Sequence, residues 1–498
     1  MRFEIKWLLL TVIVLCLYTP PVFAQNTAIR IDGNNRYEVA VNTAKKGWST
    51  ASTVLLVGKD AYADAVSAVP FAYQQDAPVL LTNAGSLSGA TRTGLQQLKT
   101  NRVIILGGTA SVSEKVVTQL KAMNLSVSRI TGKNRYDLAL HIAKRMKSAD
   151  GAVIVNGSAY ADAVAIAPYA AKQGYPILLT DEQGLRHETA NLLKNRAVKR
   201  TIVIGGESSV NKTAYGQLPS PTRISGANRY EVAARIAKTY PLKTSHTYMS
   251  NGYAYADAAA AASIAAKQGQ TLLLTNDQTV PNATRSIIGA KKISTFHVLG
   301  GTSTVSTNVI SQLKNPVLGQ TIFIDPGHGA QDAGAIGNGL LEKNVNLEVG
   351  LKLQTKLNQA GALTAMSRTS DTFDSLQTRV KKGANANADV FISIHANAND
   401  NSSANGTETY YDTSYAATDS LKLAQRIQPR MVNALGTKDR GVKTAGFYVI
   451  KYSRMPSVLL ETGFVTSPID ANVLKSSTNK LQLASGIANG VSTYFGSK

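Results

Sequence analysis

Two histidines in this chain each follow an apolar run. His328 lies in Ile324-Asp325-Pro326-Gly327-His328-Gly329, and His395 in Ile392-Ser393-Ile394-His395-Ala396-Asn397. Both runs read as strands, and the carboxyl ends of strands are where sites form in open α/β sheets. Two neutral imidazoles and one carboxylate make a ligand set for a catalytic zinc ion that keeps one position open. Glu342 is the best third ligand, because the Gly-rich loop before it can fold back towards His328. It also opens a helix, where an acidic side chain is favourable in its own right, and both readings stay open on these residues alone. Glu461 closes the run Val458-Leu459-Leu460. A carboxylate there is placed to take a proton from zinc-activated water and return it to a leaving amine. A lone histidine after a strand is more often structural; the pair, with two suitably placed glutamates, points to a site.

Those side chains need a sheet to hold them. Thr321–Ile324, Ala362–Ser367, Val390–Ile394 and Ser457–Glu461 read as strands, and Asn344–Ala360, Leu376–Asn387, Ser420–Leu435 and Leu481–Phe495 as helices. Strand alternating with helix implies an open α/β sheet, forming one domain over residues 321–498. A short linker, 315–320, precedes it.

Before the linker the chain repeats itself. Arg30-Ile31-Asp32-Gly33-Asn34-Asn35-Arg36-Tyr37 recurs from Arg129 and again from Arg223, at spacings of 99 and 94 residues. Each copy then carries Tyr-Ala-Asp-Ala, an apolar run ending in Thr, and another closed by Gly-Gly. Such a period is too long for a solenoid and suits a small domain. Continuous apolar strands such as Val103–Leu106 imply a sheet covered on both faces. Three small, mostly parallel α/β units are therefore expected over 30–128, 129–222 and 223–314. The Arg-Ile segment at each border suits pairing with either neighbour.

At 498 residues, two to four domains are expected. The net charge is +22, of which +18 falls in residues 1–318 and +4 in 319–498. The single cysteine excludes a disulfide framework and a thiolate zinc site. Arg2 and Lys6 precede an apolar stretch from Trp7 to Tyr18, followed by Val22-Phe23-Ala24. This reads as a signal peptide, residues 1–24, cut after Ala24, with a signal-anchor as the alternative. No apolar run is long enough for an integral membrane span. On an exported protein, the positive field meets wall polyphosphates rather than nucleic acid.

Residues 321–498 resemble the zinc-dependent N-acetylmuramoyl-L-alanine amidases of the amidase type 3 family. The matching stretches include Ile324–Gly329, Leu341-Glu342-Lys343, Ser367-Arg368-Thr369, Leu376 to Arg379, Asp389 to Asn397, Asp439 to Lys443 and Pro456 to Phe464. The resemblance implies Zn2+ on His328, Glu342 and His395, and Glu461 as the catalytic carboxylate. The substrate it implies is peptidoglycan, cut between N-acetylmuramic acid and L-alanine. Residues 30–314 resemble the cell wall binding repeat 2 family, present as three copies. That resemblance implies a secreted, wall-bound protein held on an anionic polymer such as teichoic acid. It also implies that Val79, Leu80, Leu81, Ile177, Leu178, Leu179, Leu272, Leu273 and Leu274 lie near the polymer groove.

Two rival readings are a zinc peptidase acting within the stem peptide and a non-catalytic wall-anchored surface protein. The repeated Arg36, Arg135 and Arg229 invite polymer binding, but pairing with the repeated Asp64, Asp162 and Asp257 is favoured, because repeated residues usually record the fold.

Overall fold

A computed structural model describes residues 26–181 and 183–498. The expected signal peptide, 1–24, lies outside the described residues. Among the described residues, no helix is long and apolar enough to cross a membrane.

Each repeat builds a four-stranded parallel sheet. In the first, the order is Val79–Thr82, Thr53–Gly58, Arg102–Leu106, Ser126–Ile130. The second has Ile177–Thr180, Gly151–Asn156, Arg200–Ile204, Pro221–Ile224. The third has Gln270–Thr275, Lys243–Asn251, Thr295–Leu299 and, at its edge, Thr27–Ile31 from the start of the chain. The Arg-Ile strand therefore always completes the sheet of the preceding copy, and the first one reaches forward to close the set into a ring. Its arginine fastens it there. Arg30 donates to Gly300 O and Val305 O, Arg129 to Gly107 O and Gly108 O, and Arg223 to Gly205 O and Val210 O.

Three helices, two of them alanine-rich, pack together at the middle of the ring. Val69–Gln74, Tyr160–Gln173 and Tyr255–Gln268, one from each copy, contact one another. Small side chains let their backbones approach, and a single apolar core runs through all three copies. The stretch 62–74 forms two helices, Tyr62–Ser67 and Val69–Gln74, with Pro70 in the first turn of the second. A first turn suits proline, yet the equivalent Pro168 stays inside the single helix Tyr160–Gln173 of the second copy.

The nine apolar residues expected near a polymer groove are strand residues inside the sheets, all at most 5% exposed. Their side chains form the interior of the sheets. They read as groove residues by resemblance, but an unbroken apolar triplet is what a strand covered on both faces requires.

The carboxy-terminal region holds one six-stranded mixed sheet, ordered Leu363–Met366, Thr321–Pro326, Val390–Asn397, Ser457–Phe464, Thr407–Tyr411, Asp439–Thr444. The first four strands are parallel. Thr407–Tyr411 runs antiparallel to Ser457–Phe464. The two regions are joined by more than the chain. Buried Arg285 donates to Val280 O in its own repeat and to Ala362 O across the boundary. Gln312 Nε2 reaches Gln359 O, and Gly319 N bonds Gly361 O.

Candidate metal centre

The parallel strands Thr321–Pro326, Val390–Asn397 and Ser457–Phe464 lie side by side and end at the same edge of the sheet. His328 follows the first. His395 lies in the second, in register with Glu461 on the third. Glu342 comes from the first turn of helix Glu342–Ala360, which packs on the same strands. The preceding loop folds back, and Ala335 N donates to Glu342 Oε2 at 2.8 Å.

The three expected ligands converge, with one ligand atom of each within 4.8 Å of the others. Glu342 Oε1 lies 3.2 Å from His328 Nε2 and 2.8 Å from His395 Nδ1. Gly327 allows this approach: a Cβ there would lie 2.3 Å from the His395 ring. Burial opposes charge on Glu342, but the two imidazoles outweigh it and hold the carboxyl far below its usual range. Burial also opposes charge on His328, and Glu342 and Asp332 outweigh that and raise it. Two imidazole nitrogens and a carboxylate oxygen at one point are the donor set of a catalytic zinc site.

Asp332 was not singled out in the sequence. It stands 2.9 Å from His328 Nδ1, which leaves Nε2 turned towards Glu342. A carboxylate behind a ligating histidine fixes its tautomer and orientation. The one available signal was an acidic residue in the Gly-rich loop four positions after His328.

Glu461 is almost fully buried, and its Oε2 has no hydrogen-bond partner. Burial raises its proton affinity well above the ordinary value, and Glu342 and Glu408 add to the effect by like charge. Glu408, also unanticipated, is held ionised despite its burial by Lys443, Arg440 and Tyr410. Beside the histidines opens a cavity of about 330 Å³, with Phe373, Leu376 and Phe447 on its walls. These are exposed apolar side chains, as a ligand-binding cleft requires.

The repeated arginines and aspartates lie within electrostatic reach across the boundaries between copies but form no ion pair within 4 Å among the described residues, and Arg36 pairs with Asp60 instead. Asp64 feels Arg135, Asp162 feels Arg229, and Asp257 feels Arg36. The guanidinium groups bond to backbone carbonyls at the ends of neighbouring strands, Lys59 O, Gly157 O and Gly252 O. A cavity of about 470 Å³ opens beside Arg36 and Asp257, and one of about 710 Å³ beside Arg135 and Asp64.

An open α/β sheet carrying a two-histidine, one-glutamate cluster with a buried carboxylate beside it defines a metallohydrolase. The family model for N-acetylmuramoyl-L-alanine amidase matches residues 322–493, and that for cell wall binding domain 2 matches 30–117, 129–215 and 223–310. The N-acetylmuramoyl-L-alanine amidase LytC of Bacillus subtilis is 53% identical over 495 residues, covering 99% of this chain and 100% of that protein. Cwp6 from Clostridium difficile shares the architecture, with a TM-score of 0.58 and 28% identity over 94% of this chain and 79% of its own. Cwp8 from the same organism matches 58% of this chain and 51% of its own, with a TM-score of 0.54 and 26% identity.

This chain belongs to the N-acetylmuramoyl-L-alanine amidases, as a member carrying three cell wall binding domain 2 repeats. It is a zinc-dependent hydrolase of peptidoglycan, secreted and associated with the cell wall through its repeats.

Proposed function

We propose that His328, Glu342 and His395 hold the zinc ion and that Glu461 carries the proton in hydrolysis of the amide between N-acetylmuramic acid and L-alanine. Zinc in such a set supplies Lewis acidity, activating water and polarising the amide carbonyl. Asp332 keeps His328 oriented. Glu461 Oε2, unpartnered and buried, accepts the proton from the attacking water and delivers it to the nitrogen that leaves with L-alanine. The convergence of both imidazoles on Glu342 Oε1 carries this reading.

The test is mass spectrometry of purified peptidoglycan after digestion. Free amino groups appearing on L-alanine alone, abolished by a chelator and restored by zinc, support the amidase. New termini on other stem residues identify a stem peptidase instead, and an inert protein leaves only a wall-bound surface role.

The anchor's ligand in this reading is an anionic wall polymer such as teichoic acid. The clefts between copies, each with a repeated arginine beside a strand end, are the places offered to it. The strong positive charge of the repeat region supports long-range attraction. In this reading residues 1–24 direct export and are removed after Ala24.

A further inference from the structure

The motif Ser367-Arg368-Thr369 and the stretch ending at Arg379 mark two arginines with no part in the chemistry above. Both are buried, at 3% and 2% exposure. Arg379 is neutralised by Asp325, at 2.7 Å, and also donates to Pro326 O, His328 O and Asp374 O. Arg368 has a different arrangement: four backbone carbonyls receive its guanidinium. Nε donates to Pro326 O at 3.0 Å and Nη1 to Ser370 O at 3.2 Å. Nη2 donates to Gly327 O at 2.9 Å and Lys343 O at 2.7 Å.

Three of those acceptors belong to two of the segments that carry the proposed metal ligands, and Ser370 lies on the arginine's own segment. Pro326 and Gly327 lead directly into His328, and Lys343 directly follows Glu342. The segment entering His328 needs an external hold. His328 and Ala330 both sit at positive φ, 63° and 49°, which disfavours residues with a Cβ. Gly329, at φ 142°, passes so close to Thr372 O that a Cβ would lie 2.1 Å from it. Asp371 completes the hold from the same side as Arg368, accepting from Ala330 N and Lys343 Nζ.

We propose that Arg368 is a positioning residue that fastens the His328-bearing loop to the Glu342-bearing helix start, setting the distance between two zinc ligands. The proposal rests on the assignment of His328, Glu342 and His395 as the zinc set. Only a planar fork with several fixed donors serves carbonyls on three segments at once; lysine, with three donors on one atom, does not.

The test uses the full-length protein with zinc or Co2+ added back after chelation. Arg368→Met is expected to weaken zinc binding about tenfold or more in chelator competition, the size typical of lost ligand support. It is also expected to change the Co2+ absorption bands, with Arg368→Lys intermediate. A folded Arg368→Met protein with unchanged zinc affinity and Co2+ spectrum overturns the proposal. So does a lowered melting temperature with an unchanged spectrum, which is what a merely structural role produces. Should Arg368→Met fail to fold, Arg368→Lys decides by the same two readings. His395→Ala is the control: if it binds zinc as tightly as the unaltered protein, the ligand assignment has failed, not the role of Arg368.

Discussion

Glu408 stands directly across an antiparallel strand pair from Glu461, in register. Like charges placed opposite one another in a sheet repel, and the two carboxyls resolve this by differing. Glu408 is held ionised by Lys443 and Arg440, and its charge then helps burial to keep the proton on Glu461. Replacing Glu408 with Gln removes that negative charge, so the proton affinity of Glu461 falls. Because Glu461 must be ionised to accept a proton from water, the acid limb of the activity profile is expected to move to lower pH. A profile of kcat/KM against pH for Glu408→Gln checks this, and an unmoved limb means that Glu408 does not tune Glu461.

Glu461→Gln keeps the shape of the side chain but cannot take up a proton. Activity is expected to fall about 10²–10⁴-fold, the range for loss of a general acid–base group. Zinc content should stay at that of the unaltered protein, since Glu461 is not among the converging ligands. Turnover of purified walls together with metal analysis separates the two effects. Undiminished lysis removes Glu461 from the mechanism.

The two histidines of the candidate site were legible because each directly follows an apolar run, a local signal that needs no knowledge of neighbours. Asp332 was not, since a polar residue in a Gly-rich loop resembles any other until the loop folds back on His328. Strands Thr407–Tyr411 and Asp439–Thr444 also went unread, and Glu408 with them. TETYY and DRGVKT lack a continuous apolar run: Asp439–Thr444 is the sheet's edge strand, and Thr407–Tyr411 beside it buries Thr407, Glu408 and Thr409 rather than aliphatic side chains. The destination of the Arg-Ile strand was open for a different reason. Its own residues suit either neighbour, and tertiary packing of the Gly-Gly turn against the arginine makes the choice.

Asp64, Asp162 and Asp257 make the repeat region sensitive to pH. Burial raises each to about 6 from an ordinary 3.8, only partly opposed by the arginine of the next copy. The folded state then binds protons more readily than the unfolded chain between those values. Stability contributed by these groups is therefore lost as pH rises from about 4 to about 6.5. Asp257, 6% exposed, is the best probe. Asp257→Asn mimics the protonated form and is expected to stabilise the protein at pH 7.5 by on the order of 1–3 kcal/mol, with little effect at pH 4. Thermal melts at both pH values test this; an equal shift at both ties the effect to packing rather than ionisation.

Attachment to the wall should fail in concentrated salt. The repeat region holds most of the net charge of +22, and attraction between exposed charges fades beyond a Debye length of about 3 Å at 1 M salt, against about 8 Å at 0.15 M. Sedimentation with purified walls over a salt series is expected to show release. Protein that stays bound at 1 M salt is held by something other than its charge.

Ring closure depends on the strand Thr27–Ile31, which pairs with Thr295–Leu299 from the far end of the repeat region. The equivalent strands Ser126–Ile130 and Pro221–Ile224 are internal to the chain and are carried to their partners by it. Thr27–Ile31 instead pairs across the whole length of the repeat region. It is held by its ladder, by Arg30 on Gly300 O and Val305 O, and by Ile31 in the core. A chain beginning at Asp32 leaves Thr295–Leu299 as an open edge, and open edges recruit strands from other molecules. That truncation is expected to lower the melting temperature and to produce dimers or larger species in size-exclusion chromatography, while the zinc centre in the other region keeps its metal. Arg30→Ala should give a milder form of the same loss, removing two hydrogen bonds worth about 0.5–1.5 kcal/mol each, or more where the donor is charged. A truncated chain that stays monomeric and melts as before shows that the ring holds shut through its central helices alone.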